Sequence, residues 1–218
     1  MKVTYIYHSG VMIELKTCVL LFDYWKGEVE FPVGKPRYIF ISHAHHDHYN
    51  PAVFDMDATV IADSAIAHPG YARLHSVNPG DELQFDGLEI SVFGSTDEGV
   101  SFLVDVEGKR LFHAGDLNYW HWKDESTMDE IKDAKDRFEG ILATLPEGQT
   151  DLAMFPVDAR IGSDFFLGAM QYIVKFKPAN FLPIHFTAHP GRVDEFARAV
   201  ETKTHVLRAD LGISIFEI

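Results

Sequence analysis

The residues best equipped for chemistry in this chain are His43, His45, His46, Asp47 and His48: four imidazoles and a carboxylate within six positions. Neutral imidazole and carboxylate make up the ligand set for zinc and related borderline divalent ions. His43 and His45 stand two apart, so an extended chain end points both the same way. Asp47 and His48 follow after the chain turns and can face the same space from another side. A compositionally biased histidine tract has no interposed Asp and no apolar strand in front of it, whereas Ile39-Phe40-Ile41 leads directly into Ser42 and His43. Three later segments also put a possible ligand just past an apolar run: Gly94-Ser95-Thr96-Asp97-Glu98-Gly99, Phe112-His113-Ala114-Gly115-Asp116 and Leu182-Pro183-Ile184-His185-Phe186. Strand ends and the loops beyond them are where function collects on a rigid scaffold.

The elements that must position these residues follow from local patterning. β-branched and aromatic runs predict strands over 3–7, 11–15 and 18–23, then a Gly- and Pro-rich loop over 24–36. The short apolar strand 37–42 delivers the histidines, and Pro51 to Asp55 reads as one helical turn capped by Asn50. Further strands are expected over 59–62, 88–93, 100–106 and 110–113, with turns at 78–81, 86–87 and 107–108. Three- and four-residue spacing of Met128, Ile131, Ala134, Phe138, Ile141 and Leu142 predicts a helix over 126–145. A second helix is expected over 163–176, with Ser163 as cap and Phe166, Met170, Ile173 and Val174 inward. Strands over 151–156 and 180–184, a helix over 193–201 and short strands over 205–207 and 213–216 complete the chain. Two β-rich stretches, each with helices and without repeats or linkers, imply two sheets packed face to face with helices outside.

At 218 residues, 46% apolar and 24% charged, the chain can bury a sizeable core and reads as an ordinary soluble globular protein. No apolar run approaches the roughly 20 residues a membrane span needs, and the amino terminus enters a strand pattern with no signal-peptide core. The single cysteine, Cys18, reads as a small buried hydrophobe and fits a reducing cytoplasm. The net charge of −14 repels nucleic acid and anionic membranes, and no run of Lys and Arg offsets it. Two divalent cations would add positive charge at one place and could still draw in an anionic substrate.

Together these residues make the chain resemble the metallo-β-lactamase superfamily of metal-dependent hydrolases, nearest to small bacterial hydrolases of the ascorbate-phosphate lactonase-like branch. The first motif of that family, His-x-His-x-Asp-His, is matched in full by His43, His45, Asp47 and His48. Asp116, in its Gly-Asp context, matches the carboxylate shared by two ions, and His185 matches the last histidine. Order and spacing extend the match along most of the chain, and Asn78-Pro79-Gly80-Asp81 looks like the turn before the family's middle strands. The resemblance implies an α+β fold, a four-layer αββα sandwich of two mixed β-sheets with outer helices. It implies one domain over 1–218, with 123–150 as a helical insertion covering the site. It also implies two divalent ions, zinc foremost with manganese or iron as alternatives. His43 and His45 would serve the first ion and Asp47, His48 and His185 the second, with Asp116 between them.

One family ligand is missing. The histidine usual between the first motif and the shared Asp has no counterpart in Gly94 to Gly99; counting back from Ser101-Phe102, Asp97 stands in its place. Either Asp97 substitutes, since carboxylate oxygen and imidazole nitrogen bind zinc at about the same distance, or the first position is weak or empty. Substitution would add negative charge, reduce Lewis acidity and favour a harder ion. The missing histidine argues against the glyoxalase and β-lactamase branches.

Around this set, Asp23 ends its strand beside the expected site and reads as a carboxylate orienting a ligand histidine. His121 and His189 are candidates for touching substrate or orienting a ligand. Arg160 and Arg192, in strand–helix loops, are candidates for holding an anionic group, with plain surface charge as the alternative. Trp120, Trp122 and Phe138 could wall the pocket. His8 reads as a polar residue near the metals rather than a ligand, His46 as solvent-facing and His113 as packed beneath the site; His68, His75 and His205 read as surface or capping residues.

The expected chemistry is hydrolysis. A metal pair lowers the pKa of bound water toward neutrality, with Asp47 and Asp116 positioning the nucleophile against a small ester, lactone or phosphate-bearing substrate. The absence of Gly-x-Ser-x-Gly argues against an acyl-serine route. Two other readings stand beside this one: a nuclease or phosphodiesterase of the same superfamily, which the acidic balance disfavours, and a non-catalytic metal-binding protein that has lost its middle ligand. The expected partner is a small molecule rather than nucleic acid or membrane, and oligomerisation is left open.

Overall fold

The computed structural model describes residues 1–218. In chain order the strands are β1 (Lys2–Tyr7), β2 (Gly10–Glu14), β3 (Val19–Phe22), β4 (Arg37–Ile41), β5 (Thr59–Asp63), β6 (Leu74–Val77) and β7 (Glu82–Phe85). They continue with β8 (Leu88–Gly94), β9 (Val100–Val106), β10 (Lys109–His113), β11 (Leu152–Pro156), β12 (Asn180–Ile184), β13 (His205–Val206) and β14 (Ser214–Glu217). Three α-helices are present: α1 (Met128–Thr144), α2 (Leu167–Phe176) and α3 (Val193–Val200).

The strands form two seven-stranded sheets, in the orders β14-β1-β2-β3-β4-β5-β6 and β13-β12-β11-β10-β9-β8-β7. Each is mixed. The first is antiparallel from β14 to β3 and parallel from β3 to β6. The second is antiparallel from β7 to β10 and parallel from β10 to β13. Parallel strands need both faces covered, which is why β3 and β4 read as unbroken apolar runs rather than alternating ones. Their side chains divide by period two: Leu20, Phe22 and Phe40 enter the core between the sheets, whereas Leu21, Ile39 and Ile41 face outward. Phe22 and Phe40 sit side by side in the β3–β4 register and stack at 4.5 Å, with Phe102 of β9 edge-on to Phe40 at 5.3 Å. Burying each such ring contributes about 1.5–3 kcal/mol relative to leaving it exposed. This aromatic stack is the floor on which the site stands.

The expected four-layer sandwich is present, and its two outer layers differ in kind. α1, α2 and α3 cover the second sheet, where Phe112, Phe138, Phe155, Tyr172 and Phe196 form one cluster. The outer face of the first sheet is covered instead by a 3-10 turn over Pro51–Asp55, capped by Asn50 as expected, and by Tyr24, Val29 and Phe31 from the loop between β3 and β4.

The local expectations hold with four differences. β6 and β7 were not expected as strands, because their alternating polar residues and lengths of four residues leave little apolar signal. α2 starts at Leu167 rather than Ser163, whose N–H donates to Asp124 instead of opening the helix. Its buried face is also turned: Tyr172 stacks on Phe112 at 4.9 Å, and Gly168, Ala169, Ile173 and Phe176 go inward with it. Val174 is left 57% exposed. α1 opens with a capping box in which Thr127 and Glu130 bond reciprocally, and Met128 points to solvent although its spacing set it with the apolar face. No helix is long and apolar enough to cross a membrane.

Candidate metal centre

The site begins where the parallel strands end. Asp23 follows β3 in the left-handed region, φ 41°, and is wholly buried. Its carboxylate accepts from the Ser42 N–H at 2.8 Å, from the Ser42 hydroxyl at 2.7 Å and from His48 Nδ1 at 2.8 Å. Because the Ser42 hydroxyl donates to Asp23, it accepts from His43 Nδ1 at 2.9 Å. One carboxylate therefore fixes the tautomer of two histidines, His48 directly and His43 through a hydroxyl, and leaves both Nε2 lone pairs facing the same space. Burial alone would raise the Asp23 carboxyl, but the His113 and His48 imidazoles outweigh it and hold it below the usual range. Asp23 thus takes the orienting place expected for it.

Asp116 enters from β10 through Gly115, whose φ is 53°. A Cβ at Gly115 would come within 2.7 Å of Ser42 Cβ and 2.9 Å of the Val100 carbonyl, so only glycine lets the two loops approach this closely. The Asp116 carboxylate faces two ways. Its Oδ2 lies 3.6 Å from His43 Nε2, while Oδ1 lies 3.2 Å from His48 Nε2 and 3.5 Å from His185 Nε2. Burial would raise this acid too, but His48 and His185 hold it well below the carboxylate range. On the other side of that contact, burial pushes the His48 ring down, yet Asp116 and Asp23 outweigh it and lift it to about 10. So much carboxylate around one imidazole describes a place built for positive charge.

His185 follows β12 with φ 61° and donates its backbone N–H to the His8 carbonyl at 3.1 Å. Its Nδ1 lies 2.9 Å from Asp158 Oδ2, in a carboxylate that Arg160 also grips from its guanidinium and its backbone N–H. Burial would raise Asp158, but the hydrogen bonds from His185 and Arg160 outweigh it and bring it to about 2. His8 lies at the turn between β1 and β2, 6% exposed, with Nδ1 2.8 Å from the Thr187 hydroxyl and Nε2 3.5 Å from Asp47.

The outer half of the site is more open. His45, with its side chain 45% exposed, and Asp97 offer ligand atoms within 4.8 Å of each other and of Asp116. Glu98 also reaches to 3.4 Å from His45 Nε2. The Thr96 hydroxyl accepts from the Asn118 N–H at 2.9 Å and donates to the Asn118 carbonyl at 2.6 Å, holding the Asp97 loop against the Asp116 loop.

These residues fit divalent metal. Three groups offer atoms mutually within 4.8 Å: His8, Asp47, His48 and His185; His43, His48 and Asp116; His45, Asp97 and Asp116. His8 Nε2, His43 Nε2, His48 Nε2 and Asp116 Oδ1 are buried without hydrogen-bond partners; the 3.2 Å between the last two is not in hydrogen-bond geometry. Buried polar atoms are seldom left so. Candidate ligand atoms here lie 3.2–3.6 Å apart: His48 and His185 Nε2 from Asp116 Oδ1, His43 Nε2 from Asp116 Oδ2 and His8 Nε2 from Asp47 Oδ2. These spacings match the edge of a tetrahedron with zinc–ligand bonds, about 3.3 Å. Beside them lies a cavity of about 490 Å³, walled in part by Trp120, Trp122, Arg137 and Arg160.

All seven residues expected to bind metal thus come together, with Asp97 on the exposed side. Other expectations fall elsewhere. His121 is not at the pocket: Lys123 N–H donates to its Nδ1 and its Nε2 donates to the Asp164 carbonyl, so the ring ties a loop together. His189 is exposed and caps a 3-10 turn. Arg192 pairs with Glu195 and lies over Phe165, and Phe138 is buried under α1 rather than in the cavity wall. His113 packs beneath the site, stacked on Phe22 at 5.0 Å, with Nε2 donating to Ser9 and Nδ1 accepting from Gly115. Asp158, Arg137 and the placement of His8 against the ligands were not read from the sequence.

Known proteins resemble this chain in sequence and in fold. A family model described as a beta-lactamase superfamily domain matches residues 2–131, which include His43 to Asp116. A UPF0173 metal-dependent hydrolase of Pelotomaculum thermopropionicum is 27% identical over 241 residues, covering 94% of this chain and 93% of its own. Another, from Bacillus velezensis, is 28% identical, with 87% of each chain covered. Among solved structures, the metallo hydrolase Igni18 of Ignicoccus hospitalis has a TM-score of 0.67 at 18% identity, with both chains fully covered. The metallo-beta-lactamase fold protein YhfI of Bacillus subtilis has a TM-score of 0.66 at 16% identity, covering 100% of this chain and 98% of its own. The two structures speak for the fold; the family model spans more than half the chain and contains the histidine motif whose geometry is described above, and on that ground the chain belongs to the metallo-β-lactamase superfamily.

Proposed function

We propose that the chain is a metal-dependent hydrolase of a small ester, lactone or phosphate-bearing substrate, with zinc as the metal. The observation that carries this reading is the convergence of four buried, unpartnered polar atoms from His8, His43, His48 and Asp116 beside an open cavity. His43, His45, Asp97 and Asp116 would hold one ion, and Asp47, His48, His185 and Asp116 the other. Bound there, divalent ions supply a nucleophile from water near neutral pH and polarise the scissile carbonyl or phosphoryl group.

The chain's own groups do the rest. Asp23 and Asp158 keep protons on the far nitrogens of His48 and His185, so the inner nitrogens stay available. Asp47 and Asp116 line the cavity and would position a nucleophilic water by accepting its hydrogen bonds. Arg160 forks onto Asp158 yet keeps its side chain 47% exposed, so its outer edge can meet an anionic group. Trp120 donates from its indole N–H to the Asp116 carbonyl and stacks with Trp122, giving one apolar wall. A cavity of this size suits a small molecule. The buried lone Cys18 fits a reducing compartment, so we place the activity in the cytoplasm.

The test is turnover of a lactone, a carboxylic ester, a phosphomonoester and a phosphodiester by zinc- and manganese-loaded protein. Hydrolysis of at least one that stops with chelator and returns with metal is expected. Two bound ions with no turnover on any of the four would favour a non-catalytic metal protein instead.

A further inference from the structure

The geometry points to His8 as a ligand of the inner metal position, which would then be held by four side chains of its own: His8, Asp47, His48 and His185. The inference rests on the metal-binding reading above and adds to it a residue outside the His-x-His-x-Asp-His motif, Asp116 and His185.

Four observations support it. The His8 side chain is only 7% exposed, and its Nε2 has no hydrogen-bond partner. That nitrogen lies 3.5 Å from Asp47 Oδ2 and belongs to the same group, within 4.8 Å, as the ligand atoms of Asp47, His48 and His185. A separation of 3.5 Å is too long for a hydrogen bond to Asp47 and close to the spacing of two ligands on one zinc ion, about 3.3 Å. The far nitrogen, Nδ1, meets the Thr187 hydroxyl at 2.8 Å, the outer partner that a metal-bound imidazole normally has.

The backbone holds the ring there. His8 adopts φ 58°, a conformation that favours glycine, and the turn is pinned on both sides: the His8 carbonyl accepts from His185 N–H and the Ser9 carbonyl from His113 Nε2. Its ring lies 4.1 Å from that of His185, so the two imidazoles approach one point from adjacent loops. Strained backbone in a packed site is where function is concentrated. The consequence is an asymmetric pair. The inner position is enclosed and rich in imidazole, while the outer one depends on the exposed His45 and Asp97 and releases its ion first.

X-ray absorption at the zinc edge, on protein loaded with one equivalent of zinc, tests this by counting imidazoles. The parent is expected to show three, and His8→Ala two, with zinc affinity in chelator competition weakened by about 100-fold or more. Thr187→Val, which removes only the outer hydrogen bond, should weaken zinc by about 10-fold and keep three imidazoles. Two imidazoles in the parent overturn the proposal without recourse to any variant. Unchanged count and affinity in a folded His8→Ala overturn it equally. Hydrolysis by the parent is a separate readout, so a failed His8 assignment leaves the hydrolase reading standing, while absence of any zinc binding removes both.

Discussion

Asp158 accepts the Nδ1 proton of His185 at 2.9 Å from a position two residues beyond its own strand. The contact follows from strand pairing: β11 and β12 run parallel with Pro156 beside Ile184, so the residues just past both strands meet. Replacing Asp158 by Ala frees His185 to rotate or to put its proton on the inner nitrogen. Zinc affinity is expected to fall by about 10–100-fold, the usual cost of losing an outer partner of a ligand histidine. Chelator competition on the folded variant measures it; an affinity within twofold of the parent would show that His185 needs no such support.

The same carboxyl makes a prediction in acid. Its value of about 2 lies below the ordinary 3.8, so its stabilising effect is present above the ordinary value and disappears as pH falls from about 4 through 2. The difference corresponds to about 2 kcal/mol. Metal-free parent and Asp158→Ala, unfolded in urea at pH 6 and at pH 2, should therefore differ more at pH 6. Equal separation of the two curves at both pH values contradicts the assignment.

Legibility in the sequence followed how local each feature is. The His43–His48 set could be read because ligand types are concentrated within six residues after an apolar strand. Asp116 and His185 each needed only a strand end and a familiar neighbour. Asp158 could not be read, since Asp158-Ala159-Arg160 looks like an ordinary turn until β11–β12 pairing brings it to His185. His8 is one imidazole at a hairpin tip, and only the packing of the two sheets brings it to Asp47. His121 was misplaced for the reverse reason: proximity to Asp116 along the chain says nothing of where the ring points. The four-layer plan was legible from strand and helix order, whereas the inward face of α2 was set by Tyr172 packing on Phe112.

Gly115→Ala examines the close approach of the loops carrying Asp116 and Ser42. The new Cβ would sit 2.7 Å from Ser42 Cβ at a φ of 53°, so the backbone must shift. Strain of this kind costs on the order of 1–3 kcal/mol. The variant should melt lower and bind less zinc, because the shift moves Asp116 away from His43 and His48. Unchanged melting and unchanged metal content together would show that the loops have slack.

Asp23→Ala should be the most damaging of these substitutions. It leaves the Ser42 N–H, the Ser42 hydroxyl and His48 Nδ1 without their acceptor in a fully buried place. Each orphaned donor costs about 1–3 kcal/mol, so a loss of about 3 kcal/mol or more is expected in urea unfolding. The Ser42 link predicts a second effect, since His43 loses its fixed tautomer along with His48. Ser42→Ala separates the two: it keeps the Asp23–His48 contact and should loosen only the ion beside His43.

Asp97→Ala decides how many ions the site holds. Asp97 is exposed and lies in the group with His45 and Asp116, apart from the enclosed group around His48 and His185. Its loop is fastened independently through Thr96 and Asn118, so removing one exposed carboxylate should leave the fold intact. Elemental analysis is expected to fall from two ions per chain to one, with the remaining ion retained at His48 and His185 and hydrolysis lost. Manganese should rescue the parent better than the variant, because the carboxylate is what favours the harder ion. Two ions retained in the variant would transfer the ligand role to Glu98, whose carboxylate stands 3.4 Å from the same histidine, and Glu98→Ala would then be the substitution that costs the second ion.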